Sequence, residues 1–201
     1  RSTLLVAYTL AILAFLYLPL FILTLYSFND SRINAVWAGF TLKWYASLLS
    51  NDRVLEALTN SLLIASITTI MGTFAAIALH RYQYRSKTVL NSLLYLPILI
   101  PEIVMGLSLL ILFSQLGLSL GKPTLIVAHI TFCLSFVIIT VGARLEGSRQ
   151  DIEEAASDLY ATPLQTFRYV TLPMIAPGII AGALMAFTLS IDDFVISFFV
   201  A

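Results

Sequence analysis

"EEAASDLYATPLQTFRYVTLP" occupies residues 153–173 of a chain that otherwise reads as lipid-soluble. Glu153, Glu154 and Asp158 sit early in a short helical stretch, where carboxylates favour the positive end of the helix dipole. Asp151 is placed to cap it, with Glu154 three residues on in capping-box spacing. Ala155 and Ala156 are strong helix formers with little bulk. Pro163 breaks the pattern, and Leu164, Phe167 and Val170 then mark an apolar edge at helical spacing. Pro173 falls where a following membrane helix tolerates proline, in its first turn. The spacing therefore predicts a short polar helix between two spans, unable to bury its own apolar edge. It either docks on something or lies on the bilayer as an ordinary loop helix.

The rest of the chain decides where that helix stands. Of 201 residues, 59% are hydrophobic and 11% charged, against about 45–50% and about 25% in soluble domains. Five apolar runs reach the roughly 20 residues that a crossing needs, at about 4–28, 57–79, 89–114, 124–145 and 174–200. Backbone groups in lipid must be bonded within the segment, so these runs are helices. The alternating segments of a barrel are absent. The first run is too long for a signal-peptide core and suits a span. The expectation is an all-α polytopic membrane protein forming one transmembrane domain over 1–201.

Lys and Arg set the orientation. Arg1, Arg81, Arg85, Lys87, Arg144, Arg149 and Arg168 collect on one side, and Arg32, Lys43, Arg53 and Lys122 are spread thinly on the other. The first side is expected to be cytoplasmic, with the N-terminus inside and segment 146–172 facing the cytoplasm. The outer loop 29–56 carries Phe40, Trp44, Tyr45, Leu48 and Leu49 near one helical face, which predicts a short helix at the outer interface.

Ionisable residues within spans are expensive and point to function by default. Glu102, Asp192 and Asp193 are the clear acidic cases, and no Lys or Arg within a span is available to neutralise them. Counted at 1.5 Å per residue, Glu102 lies about 20 Å beyond residue 89 and Asp192 about 22 Å beyond Pro177, so the two could share one level. Asp193 shares a helical stripe with Ser190 and Ser197, which makes it the better candidate for lining a pathway, while Asp192 points about 100° away. Pro97 and Pro101 kink or break the third run, placing Glu102 in the first turn of a second half-helix. The alternative is a kinked helix whose Glu102 is bonded to backbone.

Several classes are excluded. No basic patch fits nucleic acid. Cys133, His80 and His129 give no metal-site spacing, and one cysteine forms no internal disulfide. "GLSLGKPT" (117–124) has three residues between its glycines and Pro after Lys, so it is no phosphate loop and the chain is not expected to bind ATP. Adjacent Asp192 and Asp193 diverge on a helix, unlike the paired acids of an aspartyl protease. An ion-coupled carrier or channel would use the same acids without needing the polar helix at 153–173.

Segment 154–173 resembles the EAA loop of binding-protein-dependent ABC importers. Glu154-Ala155-Ala156, three residues, position 160, nine residues, Val170, Thr171 and Leu172-Pro173 keep its spacing. Tyr160 stands where that pattern has Gly, a position suited to a left-handed residue. "FNDSRINAVWAGFTLKWYASLL" (28–49), "PEIVMGLSLLILF" (101–113) and "TLSIDDFVISFFV" (188–200) are similar to permeases of spermidine/putrescine importers. The resemblance implies the type I ABC importer permease (MetI-like) fold with six spans, five of them present here. It implies a bacterial inner-membrane subunit whose coupling helix (Glu153, Glu154, Ala155, Ala156, Asp158, Leu159, Tyr160 and Ala161) sits on an ATPase. The implied partners are a second permease, two ATP-binding cassette subunits, a solute-binding protein and a small cationic substrate. ATP and Mg belong to the ATPase, and no metal site is expected in this chain. Polyamine is the expected cargo, with thiamine or ferric ion as the alternative.

Overall fold

The computed structural model describes residues 2–31, 36–83, 85–147 and 150–201. Arg1, Arg32 and Arg149, which enter the charge asymmetry, lie outside them. The helices are α1 (Ser2–Tyr26), α2 (Lys43–Leu49), α3 (Asp52–Arg81), α4 (Lys87–Leu94), α5 (Leu96–Leu99), α6 (Glu102–Gln115), α7 (Lys122–Glu146), α8 (Gln150–Asp158), α9 (Pro163–Thr166), α10 (Leu172–Asp192) and α11 (Val195–Val200). A π-helical segment, Phe167–Thr171, joins α9 to α10. Four helical stretches among the described residues are long and apolar enough to cross a membrane: Leu4–Tyr26, Asp52–Arg81, Lys122–Glu146 and Pro163–Asp192. The bent pair Lys87–Leu99 and Glu102–Gln115 makes a fifth if its two arms count as one crossing.

The chain falls into two compact units, 1–56 and 57–201. In the first, α1 is apolar on every side, the pattern of a helix that faces lipid. The segment after it folds around Asn29. Its Nδ2–H donates to the Val36 carbonyl at 2.9 Å, and its Oδ1 accepts the Ala38 N–H at 2.8 Å. The Asn29 carbonyl accepts the Trp44 indole N–H at 2.8 Å. Phe28 stacks on Phe40 at 5.3 Å, and Lys43 pairs with Asp30. A short helix is present within 29–56 as α2, while Phe40 precedes it and stacks on Phe28.

In the second unit α7 is the central helix, with α10 as its most extensive neighbour. Small residues let the backbones approach, the usual device where lipid removes the hydrophobic drive between helices. A Cβ on Gly178 would lie 2.7 Å from Arg144 Cβ, and one on Gly72 would lie 2.6 Å from Val137 Cγ1. Ala128, Phe132, Val137 and Val141 of α7, Ile175 and Ala186 of α10 and Ile196 of α11 form the core.

Two expectations change here. The last apolar run, 174–200, is not one helix: it breaks at Asp193–Phe194, and α11 packs on α6. Residues 146–172 are not all loop, because the helix that becomes the last span begins at Pro163. Thr162 caps that start. Its Oγ1 accepts the Gln165 N–H, while its own N–H donates to Gln165 Oε1 at 2.8 Å. Pro163 thus opens a helix, where its missing N–H costs nothing. Pro173 lies ten residues into that run. The π turn before it, in which the Leu172 N–H reaches the Phe167 carbonyl, widens the helix where the pyrrolidine ring would otherwise clash.

Candidate functional site

Two polar regions stand out in the second unit. The first is the α8 helix. It begins at Gln150, so Asp151, expected as its cap, lies inside the first turn. It ends in a paired turn: the Ala161 N–H donates to the Ala156 carbonyl at 3.1 Å, and the Tyr160 N–H to the Ser157 carbonyl at 3.0 Å. This is the Schellman arrangement, which puts the donor of the inner bond, Tyr160, in the left-handed region. Tyr160 has φ 61° and is 96% exposed. The bend is kept without glycine, at a cost of about 1–2 kcal/mol for a residue with a Cβ. Leu159 beside it is 82% exposed. Glu154, Ala155 and Asp158 are exposed as well, while Ala156 and Ala161 are half-buried.

Glu153 departs from this outward set. Its Oε2 accepts from Arg81 Nη2 at 2.7 Å, and its Oε1 accepts from the Thr171 hydroxyl at 2.6 Å. Arg81 Nη2 also donates to Thr171 Oγ1 at 3.2 Å. Three side chains from α3, α8 and the π segment thereby close a ring. The ring borders a cleft of about 290 Å³ lined by Arg81, Glu153, Glu154, Ser157, Pro163 and Thr166. Of the residues assigned to the coupling helix, Glu153 is thus the one bonded to distant parts of its own chain.

The second region is the pair of helix breaks. Ile100 is extended (φ −78°, ψ 130°), as the residue before a proline prefers. Pro101 has ψ 136°, and α6 starts at Glu102. The arms on either side meet at 107°, far beyond a kink. Glu102 is exposed in the first turn of α6, where the helix dipole favours a carboxylate. The bend also removes the straight-helix depth estimate for Glu102.

At the other break, α10 ends at Asp192, which is exposed. Asp193 is extended (ψ 113°) and its side chain is turned inward. Asp193 Oδ1 accepts the Ile196 N–H at 3.2 Å, and Oδ2 accepts the Ser197 N–H at 3.1 Å. The carboxylate thus caps the N-terminus of α11. His129 Nε2 of α7 lies 3.1 Å from Asp193 Oδ2, the two side chains being 1% and 2% exposed. His129 Nδ1 faces the Leu125 carbonyl at 2.9 Å. Ser197 Oγ donates to the Asp193 carbonyl at 3.1 Å and sits 3.4 Å from His129 Nε2. Ser190 is buried, its hydroxyl donating to Ser61 Oγ at 3.2 Å.

Asp193, Ser190 and Ser197 are therefore structural neighbours of a helix break and not an open polar stripe. The stripe argument fails because no continuous helix connects the three. The premise of unpartnered acids fails for Asp193 because His129 faces it. His129 was passed over because it was weighed only as a metal ligand. Its signal was present in the sequence, an ionisable residue in the middle of an apolar run, which belongs with the acids. Arg81 and Thr171 carry no comparable local signal. Among the described residues, no group of three or more His, Cys, Asp or Glu could hold a metal ion.

Comparison with known proteins fits this geometry. The profile of the family described as "Binding-protein-dependent transport system inner membrane component" matches residues 68–201. The chain is 45% identical over 194 residues to the spermidine/putrescine transport system permease protein PotC of Escherichia coli (strain K12), covering 94% of this chain and 74% of the relative. Identity to the PotC protein of Haemophilus influenzae is 41% over 199 residues, 97% of this chain and 77% of that one. The putrescine transport system permease protein PotI of Escherichia coli (strain K12) is 43% identical over 198 residues, 93% of this chain and 70% of the relative. With its bilayer-length helices, this is a multi-pass protein of the bacterial inner membrane and a non-catalytic part of a larger transporter. It belongs to the family of inner membrane components of binding-protein-dependent transport systems.

Proposed function

We propose that this chain is the permease subunit of an ATP-driven polyamine importer. It passes spermidine or putrescine from an extracytoplasmic solute-binding protein to the cytoplasm by alternating access. The observation that carries the reading is the 41–45% identity to polyamine permeases over more than nine-tenths of the chain. A second permease completes the pathway, and two ATPase subunits bind ATP and Mg. The exposed face of α8 and the turn after it, with Glu154, Ala155, Leu159 and Tyr160, is the docking surface for one of them.

Of the intramembrane acids, Glu102 and Asp192 are open to a passing cation. Each stands beside a helix break, where irregular backbone is tolerated because it lines a cavity. Two carboxylates suit the ammonium groups of a linear polyamine. Binding must stay weak so that the cargo leaves again. Asp193, Ser190 and Ser197 shape the wall behind Asp192. Uptake of labelled spermidine and putrescine at matched expression tests this division. Glu102→Gln and Asp192→Asn should each reduce uptake by roughly tenfold, the worth of one charge-assisted contact. Wild-type uptake in both variants would remove the acids from the pathway.

A further inference from the structure

The ring of Arg81, Glu153 and Thr171 joins three elements of this chain to one another. We infer that Arg81 is a positioning residue. Through Glu153 and Thr171 it fastens the coupling helix to two spans at once, so that transmission of the ATPase stroke depends on it while docking does not. The inference rests on the reading of α8 as the docking helix.

The geometry carries the argument. The two oxygens of Glu153 are divided between elements, one on Arg81 at the last residue of α3 and one on Thr171 at the last residue of the π segment. Along the chain, the α8 helix is joined to α7 through a short connection and to α9 through the turn at Tyr160. A side-chain anchor keeps such a helix from swinging about its turn when a load is applied at Glu154, Leu159 and Tyr160. Glu153, half-buried, supplies one such anchor. Threonine suits the third place because its hydroxyl donates to the carboxylate while its oxygen accepts from the guanidinium. The ring therefore closes with every group in its proper role. A push on α8 reaches α3 directly through Arg81 and reaches α10 through Thr171, one residue before α10 begins.

The test uses the whole transporter with its solute-binding protein, reconstituted in liposomes. Spermidine uptake per ATP hydrolysed is measured, together with retention of the ATPase during purification. Arg81→Gln should lower uptake per ATP by roughly tenfold, and Thr171→Val by roughly threefold, with the ATPase retained in both. The exchange Arg81→Glu with Glu153→Arg reverses the polarity of the ring, and the Thr171 hydroxyl can rotate to serve it. It should return the ratio to within about twofold of wild type, since a double-mutant rescue isolates the pair. Loss of the ATPase from Arg81→Gln would make the ring part of the docking surface and overturn the inference. So would an unchanged ratio in Arg81→Gln, or an exchange no better than the single variants. Normal ATPase retention and uptake by Ala156→Trp would instead sink the docking reading itself. That substitution lies outside the ring, so the two failures separate.

Discussion

The two helix breaks of the second unit do the same geometric job by different means. At Ile100–Pro101 the chain is turned by covalent chemistry. Proline cannot donate, its ring excludes the helical conformation from the residue before it, and the arms part at 107°. Glu102 next to it is left exposed and free for other use. At Asp193–Phe194 there is no proline and no glycine. The chain turns there because a side chain offers the next helix a better partner than the previous one does. Asp193 takes two N–H groups of α11 and leans on His129. A break made by the backbone frees its neighbouring acid, whereas a break made by a side chain consumes it.

The contrast is most exposed at Asp193. Asp193→Ala takes the carboxylate away from His129 Nε2 and leaves the start of α11 uncapped. Truncating one member of a buried, bonded pair costs about 3–5 kcal/mol. Thermal unfolding in detergent should show that loss, and Asp193→Asn, which keeps an acceptor for the N–H groups, should recover part of it. Equal stability for all three proteins would mean that the break holds itself.

A smaller effect is expected from the other side of the pair. His129→Gln removes the ring but leaves the Asp193 carboxylate its two backbone donors. The cost should be about 2 kcal/mol, that of one unmet partner in a buried polar group. The Asp193→Asn/His129→Gln double variant should be less destabilised than the sum of its parts, because contacting residues do not add. Strict additivity would show that the 3.1 Å contact carries no energy.

The smallest change in stability belongs to Pro101→Ala, at about 1 kcal/mol or less, through the freedom the unfolded chain regains. Its geometric effect should be plain nonetheless. Spin labels at Leu90 and Leu112, exposed on opposite arms, report the bend in a Cys133→Ser background. A longer, broader distance distribution is expected once the helix can run through position 101. An unchanged distribution would mean that packing of α6 on α11 sets the angle and that proline only accepts it.

The same division separates what could be read from the sequence from what could not. The apolar runs and the turn at Pro101 were legible because each is a local property of neighbouring residues. The EAA pattern marked position 160 as one suited to a left-handed residue, and the structure shows that Tyr160 adopts that conformation without glycine. The prolines at 163 and 173 were less legible for a related reason, since Pro163 opens a helix and Pro173 falls in the first turn of α10 directly after a π turn. A proline says that a bond is missing, but not whether a cap such as Thr162 or a π turn absorbs the loss. Glu153 and Glu154 look alike in the sequence, and the structure turns one inward to Arg81 and leaves the other outward.

The sequence by itself determined that this protein is helical, that it lives in the membrane and which transport family it joins. Hydropathy, proline and the EAA spacing all act over a few neighbouring residues. Only the tertiary structure decided that Asp193 is a cap held by His129, that Ser190 bonds Ser61, and that Glu153 ties α8 to α3 and the π segment. Each of those outcomes depends on a partner from a distant part of the chain. A carboxylate's role is set by which donor folding brings within about 3 Å of it, and no pattern of neighbours records that distance.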